Sequence, residues 1–201
     1  MVKSFFKERR PHNGMTYDEF VQRMVEKARV AESITPEDDE QLYYTRLNYQ
    51  RTSRIQKTYQ VSERLKELLQ GINQPQLWMV LTEAWCGDSA QTLPILAKMT
   101  ECNPNIQLRI LLRDENLDIM DQYLTNGTRG IPKLVAFDEV GNELFTWGPR
   151  PREAAELYRQ LKAEGKEKEE IYLELHKWYA KDRGKSVEKE FMKILEQLNQ
   201  K

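Results

Sequence analysis

The sequence has 201 residues and a formal net charge of −1, because it contains 31 Lys and Arg residues and 32 Asp and Glu residues. This balance argues against nucleic-acid binding, which requires clustered positive charge. No run of about 18 apolar residues is present to span a bilayer, and two cysteines are too few for a disulfide scaffold. With no apolar segment of signal-peptide length near the N-terminus, we expect a cytoplasmic protein.

The N-terminal part, residues 1–59, is predicted to be a helical extension. Apolar residues recur at spacings of three and four over 15–31, which is typical of an amphipathic helix. A second helix is predicted over 34–51, with Thr35 as its N-cap and Pro36 as its first helical residue.

Residues 60–164 are predicted to form an α/β domain. Short apolar or alternating runs indicate strands at 76–85, 106–114, 131–138 and 143–147. Helical patterns lie at 61–70, 89–100, 115–125 and 152–163. Pro94 falls inside the second of these helices and should kink it. This order of elements is typical of one open mixed sheet flanked by helices.

The last part, residues 165–201, is predicted to be a helical C-terminal extension. Amphipathic patterns indicate helices over 166–182 and 186–198, the second of them capped by Ser186. Their apolar faces need a partner, either the N-terminal helices or a second subunit, which would make the protein a homo-oligomer.

One short stretch concentrates the chemistry of the chain. Cys86 follows a predicted strand and opens a predicted helix, between Trp85 and Gly87. A thiol at a helix N-terminus meets unpaired N–H groups and the positive end of the helix dipole, and both favour the thiolate. Asp88 opposes this effect, because a nearby negative charge disfavours a thiolate. The alternative role for Asp88 is that of an acid in the first turn, which stabilises the helix.

Ser89 stands three residues after Cys86, and serine cannot attack a mixed disulfide as a second thiol does. Its hydroxyl can still hydrogen-bond a thiolate at Cys86. Three outcomes stay open: a monothiol cycle resolved by an external thiol such as glutathione, a stable mixed disulfide, or a redox-inactive site. Cys102 is expected to be a structural or incidental thiol, because a helix would place it about 20 Å from Cys86.

Two stretches resemble the thioredoxin superfamily: residues 85–89, Trp-Cys-Gly-Asp-Ser, and residues 129–132, Arg-Gly-Ile-Pro, before the predicted hairpin. The first is also similar to thioredoxin-like proteins with Trp-Cys-Gly-Asp followed by Cys, Ala or Ser, and residues 108–151 are similar to a Bacteroidetes-type subgroup. The resemblance implies a thioredoxin-like fold over 60–164, a central mixed sheet flanked by helices. It further implies that Cys86 is the nucleophile and that a cis-proline loop faces it.

The resemblance also implies substrate-binding roles beside Cys86. Pro132 would be cis and would leave the backbone of Ile131 to pair with an extended peptide. A trans-proline at a strand start is the structural alternative. Trp85, with Gly87 and Asp88, would shape the rim of the site, and simple packing is the alternative role for Trp85.

No metal or cofactor is expected. His12 and His176 are far apart in the sequence and lack neighbouring cysteines, so nothing suggests a metal site or places either histidine near Cys86. The strand before Cys86 is apolar throughout 77–81, so it lacks the buried acid that thioredoxins often use in proton transfer.

Two functions are compatible with these residues. The leading hypothesis is monothiol thiol–disulfide exchange on a protein or a low-molecular-weight disulfide, with Cys86 as nucleophile and Ser89 as its hydrogen-bond partner. The alternative is a redox-inactive binding or scaffolding module that uses the groove at Ile131 and Pro132. Accessibility separates the two, because a buried Cys86 would exclude exchange whatever its pKa.

Overall fold

The computed structural model describes residues 2–31 and 33–198 of the chain. Its α-helices are α1 (Ser4–Lys7), α2 (Tyr17–Val30), α3 (Glu40–Thr58), α4 (Glu63–Gln70), α5 (Gly87–Thr100), α6 (Leu117–Met120), α7 (Arg152–Ala163), α8 (Lys168–Asp182) and α9 (Lys185–Leu198). Its β-strands are β1 (Gln76–Thr82), β2 (Ile106–Leu112), β3 (Lys133–Asp138) and β4 (Glu143–Trp147). Over these described ranges, no helix combines the length and the apolar character needed to cross a membrane.

The four strands form one mixed sheet in the order β2-β1-β3-β4. Strands β1 and β2 are parallel, with Val80 opposite Ile110, whereas β1 and β3 are antiparallel, with Val80 opposite Leu134. Strand β4 pairs antiparallel with β3 and completes the predicted hairpin. The predicted α/β architecture, a mixed sheet flanked by helices, is therefore confirmed.

Side chains alternate between the two faces of the sheet along each strand. Both faces of the central strand β1 are buried, each in a different apolar cluster. Trp78 and Val80 of β1 point into the larger apolar cluster, which α2, α4, α5 and α9 cover. Met79 and Leu81 point into a second cluster, which contains Phe5 of α1 together with residues of α6. The first 59 residues thus contribute to both halves of the core.

Helix α9 lies against the sheet. The ring of Phe191 is 5.5 Å from the ring of Trp78 and 5.6 Å from that of Trp147. The indole N–H of Trp147 donates to Oε2 of Glu190 at 2.6 Å. Residues after 164, predicted as an extension, therefore supply part of the main core, while the domain boundary itself stays a prediction.

Helices α7 and α8 pack on each other instead. The buried members of their separate apolar cluster are Ala154, Leu161, Ile171, Leu175 and Tyr179. Among the described residues, this cluster shares no member with the two clusters of the sheet. The α7–α8 pair is therefore a unit with a small core of its own.

Helix α5 runs through Pro94, which has no N–H to donate to the carbonyl of Ala90 four residues earlier. The hydroxyl of Thr52, on α3, donates to that carbonyl at 3.4 Å. Asn48, also on α3, donates to the carbonyl of Ala84, just before α5, at 3.1 Å. These bonds hold the N-terminal half of α5, which Cys86 caps, against α3.

Two predicted helix starts are wrong in detail. Thr35 forms a turn with Asp38, whose carboxylate accepts from both its N–H and its hydroxyl, and α3 begins only at Glu40 with Asp39 as its N-cap. Ser186 lies inside α9, and its hydroxyl donates to Asp182 at 2.6 Å. In both places, a nearby acidic side chain takes the role that the sequence pattern gave to a hydroxyl.

Candidate functional site

Cys86 is the N-cap residue of α5. Its N–H donates to the carbonyl of Glu83 at 3.1 Å, which closes the turn after β1, and its carbonyl accepts from Ala90 at 3.1 Å. Its thiol donates to the carbonyl of Ile131 at 3.3 Å. The two stretches that carry the resemblance are therefore in direct contact.

The Ile131–Pro132 peptide bond is cis, as the sequence predicted. Ile131 and Pro132 are both buried, while Trp85 is half-buried and its ring lies 4.9 Å below the guanidinium of Arg113. A second cis bond, Gly148–Pro149, was not predicted. A Cβ at Gly130 would lie 3.2 Å from Cγ of Pro149, so the two cis-proline loops are neighbours.

The thiol of Cys86 is closed off, with 7% of the residue exposed. Burial raises the pKa of Cys86 to about 11, and the negative charge of Asp88 adds to the rise. Hydrogen bonds from Ser89 and from the backbone N–H of Asp88 lower this pKa, but by less than burial and Asp88 raise it. The helix N-terminus acts as the sequence predicted, but burial outweighs it.

Ser89 is buried and its hydroxyl is shared. It forms a short hydrogen bond with the hydroxyl of Thr82 on β1, and it is also close enough to Cys86 to lower the pKa of the thiol. The predicted contact between Ser89 and Cys86 is thus available, although Thr82 competes for it.

Asp88 makes long-range contacts that the sequence did not suggest. Its Oδ2 lies 2.7 Å from Nη2 of Arg150, in the loop between β4 and α7. Its Oδ1 accepts from the hydroxyl of Tyr179, on α8, at 2.8 Å. Burial raises the pKa of Asp88, while Arg150 and Tyr179 counteract that rise. Asp88 therefore lies at the centre of a buried polar cluster with Arg150 and Tyr179, in addition to its position in the first turn of α5.

His176 lies on the site, which corrects the expectation that nothing places a histidine near Cys86. A Cβ at Gly87 would be 3.0 Å from Cε1 and 3.1 Å from Nε2 of His176, so the ring lies directly on this glycine. Its Nδ1 is 3.1 Å from the side-chain nitrogen of Gln91. Burial, with the charges of Arg51 and Arg54, lowers the pKa of His176 to about 4. The ring is therefore neutral at pH 7, and Nδ1 accepts from the amide of Gln91.

The residues that sequence reasoning missed at this site come from beyond the hairpin: Arg150, His176 and Tyr179. His176 and Tyr179 are three residues apart and so share one face of α8. The only local signal in the sequence was that these two polar side chains share one face of a helix that also has an apolar side. This signal does not identify the residues that they contact.

Cys102 lies past the C-terminal end of α5, a helix of 14 residues that spans about 20 Å. Its thiol donates to the carbonyl of Lys98 at 3.4 Å, and burial raises its pKa. Cys102 therefore lies at the opposite end of α5 from Cys86. Among the described residues, no cluster of three or more histidine, cysteine or acidic side chains is arranged to hold a metal ion.

A family model described as thioredoxin matches residues 34–163, more than half of the chain. A protein of unknown function from Pseudomonas aeruginosa has a similar structure, with a TM-score of 0.63 at 20% identity, covering 92% of this chain and 94% of that one. An HIV epitope scaffold is similar, with a TM-score of 0.61 at 20% identity and the same two coverages. No curated protein matches. At this identity, the two structures establish a common fold and carry no activity to this chain.

Proposed function

The chain belongs to the thioredoxin family, and we propose that it is a binding module whose Cys86 site does not work by turnover. The closure of the thiol carries this proposal: Cys86 is 7% exposed, and burial raises its pKa to about 11. With such a pKa, about one molecule in ten thousand holds a thiolate at pH 7. Disulfide exchange requires that thiolate and access to it.

A structural role explains why a cysteine occupies this position. Its thiol is small, tolerates burial and donates to the carbonyl of Ile131. It thereby connects the start of α5 to the cis-proline loop without any chemistry. The ligand of the module would be an extended polypeptide that pairs with the backbone at Ile131 and rests on Trp85.

The first experiment is the pH dependence of Cys86 alkylation by iodoacetamide, in a Cys102→Ala background. We expect slow labelling that rises about tenfold per pH unit up to about pH 10, because the thiolate fraction follows a pKa of about 11. Glutathione disulfide should leave no reversible adduct. Fast labelling with an apparent pKa below about 8.5, together with such an adduct, would overturn the proposal.

Binding is tested with a carboxymethylated, unfolded polypeptide, which has no thiol or disulfide to exchange. Cys86→Ala should keep the affinity of the wild type for this probe, whereas Trp85→Ala should weaken it. Loss of binding in a folded Cys86→Ala variant would show that the thiol itself is needed.

Monothiol exchange is the second candidate, and the contact of the Cys86 thiol with the residue before Pro132 favours it. In this mechanism, the Cys86 thiolate attacks one sulfur of a disulfide and releases the other as a thiolate. An external thiolate such as glutathione then attacks the mixed disulfide and frees Cys86. We also propose that the chain belongs to the subgroup in which Trp-Cys-Gly-Asp is followed by Cys, Ala or Ser. This membership accords with either function, because such a motif does not require a resolving thiol.

A further inference from the structure

The cover over Cys86 is made by the chain itself. Three side chains from outside the predicted α/β core elements meet the first five residues of α5: Tyr179 and His176 from α8, and Arg150 from the loop before α7. They contact Asp88 and Gln91, and the ring of His176 lies on Gly87. The N-terminal end of α5, directly after Cys86, is therefore covered by α8 and Arg150.

The contacts between α8 and α5 are polar, whereas those between α8 and α7 are apolar. Ile171 and Leu175 of α8 are buried among residues of α7, in the cluster that is separate from the sheet. Toward α5, α8 contributes the hydrogen bond from Tyr179 to Asp88, the pair of His176 with Gln91, and the ring of His176 on Gly87. Polar groups that leave such contacts can be solvated by water, so the α7–α8 unit can separate from α5 without breaking either apolar cluster of the sheet.

Two turns flank α8: the turn at Gly165 lies inside the unit, between α7 and α8, and the turn at Arg183 and Gly184 connects the unit to α9. Gly165 precedes α8 with a φ of +75°, and Arg183 and Gly184 follow it with φ values of +56° and +84°. A Cβ at Gly165 would meet nothing within 4 Å, so this turn is not held by packing. At Gly184, by contrast, a Cβ would lie 2.8 Å from Ile95, which keeps the start of α9 on α5.

We propose that α8 is an autoinhibitory cover, latched onto α5 by Asp88 and Gln91, which must open before a polypeptide can reach Cys86 and Ile131. The cover rests on the proposed function only in assuming that this groove is the ligand site. Its opening exposes Cys86 whether or not the thiol then reacts with disulfides.

The test measures labelling of Cys86 by excess iodoacetamide at fixed pH, in the full chain with Cys102→Ala. Tyr179→Phe removes the hydroxyl that holds Asp88, and His176→Ala removes the ring on Gly87. Gly87→Ala deletes no polar group and instead forces the ring aside. We expect each to raise the labelling rate about tenfold or more, because each weakens the closed state by one contact.

Tyr59→Phe is the matched control. The hydroxyl of Tyr59 donates to Glu188 at 2.6 Å, so this variant also loses one tyrosine–carboxylate hydrogen bond, but between the end of α3 and α9. Its labelling rate should equal that of the parent. Equal acceleration in the control and in the latch variants would mean general loosening and would overturn the cover.

Hydrogen exchange of the wild-type protein keeps the proposal testable if a variant fails to fold. The amides in the first turn of α5, which α8 covers, should exchange through an opening that leaves β1 and the second half of α5 protected. If the first turn of α5 exchanges only when those elements do, the cover does not open and the proposal is wrong. Fast labelling of the wild type that the latch variants do not accelerate would overturn the cover as well as the proposed function. Turnover in an opened variant would overturn only the proposed function, because it would favour monothiol exchange and leave the cover intact.

Discussion

The carboxylate of Asp88 and the guanidinium of Arg150 are buried together, with 7% and 15% of their side chains exposed. A buried ion pair costs desolvation on both sides, so its net contribution to stability is small compared with the penalty for removing one partner. Tyr179 satisfies the second oxygen of Asp88, while Nε of Arg150 has no hydrogen-bond partner. The pair therefore fixes geometry more than it adds stability.

Arg150→Met should lower the free energy of unfolding by about 3–5 kcal/mol, because it leaves a buried carboxylate without its countercharge. Adding Asp88→Asn should recover part of the loss, since the amide carries no charge and still accepts from Tyr179. Urea titrations of both variants measure this. A single variant within about 1 kcal/mol of the wild type would show that Asp88 reaches water or is protonated at little cost.

His176 makes stability depend on pH. Its pKa is lowered to about 4 in the folded protein, mainly by burial, against about 6.5 in the unfolded chain. Between these values the unfolded chain binds more protons, so stability falls as pH drops from about 6.5 to about 4, by up to about 3 kcal/mol.

His176→Gln should remove most of this fall, because glutamine does not titrate. Urea unfolding at pH 7, 5.5 and 4.5 compares the variant with the wild type. His12→Gln is the control: burial also lowers the pKa of His12, but His12 is less enclosed, so its change should be smaller. Parallel stability curves for the wild type and His176→Gln would mean that His176 is protonated freely, in an open site.

At the scale of elements, local signals in the sequence were sufficient for the sheet and for the stretch around Cys86. Alternation in β2, the apolar run of β1 and the Arg-Gly-Ile-Pro stretch each act over a few residues, and the structure has the strands and the cis bond they predict. The contacts of Asp88 with Arg150 and Tyr179 span more than 60 residues of sequence. No periodicity encodes such a contact, so the burial that decides the pKa of Cys86 could not be predicted.

The bond from Thr52 to Ala90 shows how a neighbouring helix compensates for Pro94. Thr52→Val should cost about 1–3 kcal/mol, because it leaves the carbonyl of Ala90 buried and unpaired. In a Pro94→Ala background the cost should shrink, since residue 94 then supplies an N–H to that carbonyl. A double-mutant cycle by urea unfolding measures the difference.

Thr45→Val is the control for this cycle, because the hydroxyl of Thr45 bonds to Gln41 of its own helix at 2.8 Å. Its effect should be small and the same in both backgrounds. Identical costs for Thr52→Val with and without Pro94 would show that the carbonyl of Ala90 does not depend on Thr52.

Across the whole molecule, the main core joins distant parts of the chain. The cluster on one face of the sheet includes Phe20 from α2 and Phe191 and Leu195 from α9. The predicted extensions on both sides of residues 60–164 are therefore needed for the core. Among the described residues, the cluster of α7 and α8 shares no member with the two clusters of the sheet, so the molecule has one main body and one smaller unit.

Phe191→Ala should destabilise the protein by about 3–5 kcal/mol, because it removes a fully buried ring that contacts Trp78 and Trp147. Leu173→Ala, on α8 with 56% of the residue exposed, should change stability by less than about 0.5 kcal/mol. Thermal and urea unfolding of the two variants test this. A mild effect of Phe191→Ala would mean that α9 is not part of the cooperative core.

The four tryptophans of the chain are divided among these parts. Trp78 and Trp147 contact α9, Trp85 lies under Arg113 at the cysteine site, and Trp178 meets the ring of Tyr179 edge-to-face in α8. Indole emission depends on local polarity, so the protein carries built-in optical reporters of three separate places. With the other indoles replaced, the fluorescence emission of Trp178 would report the movement of α8. The emission of Trp147 would report the separation of α9 from the sheet.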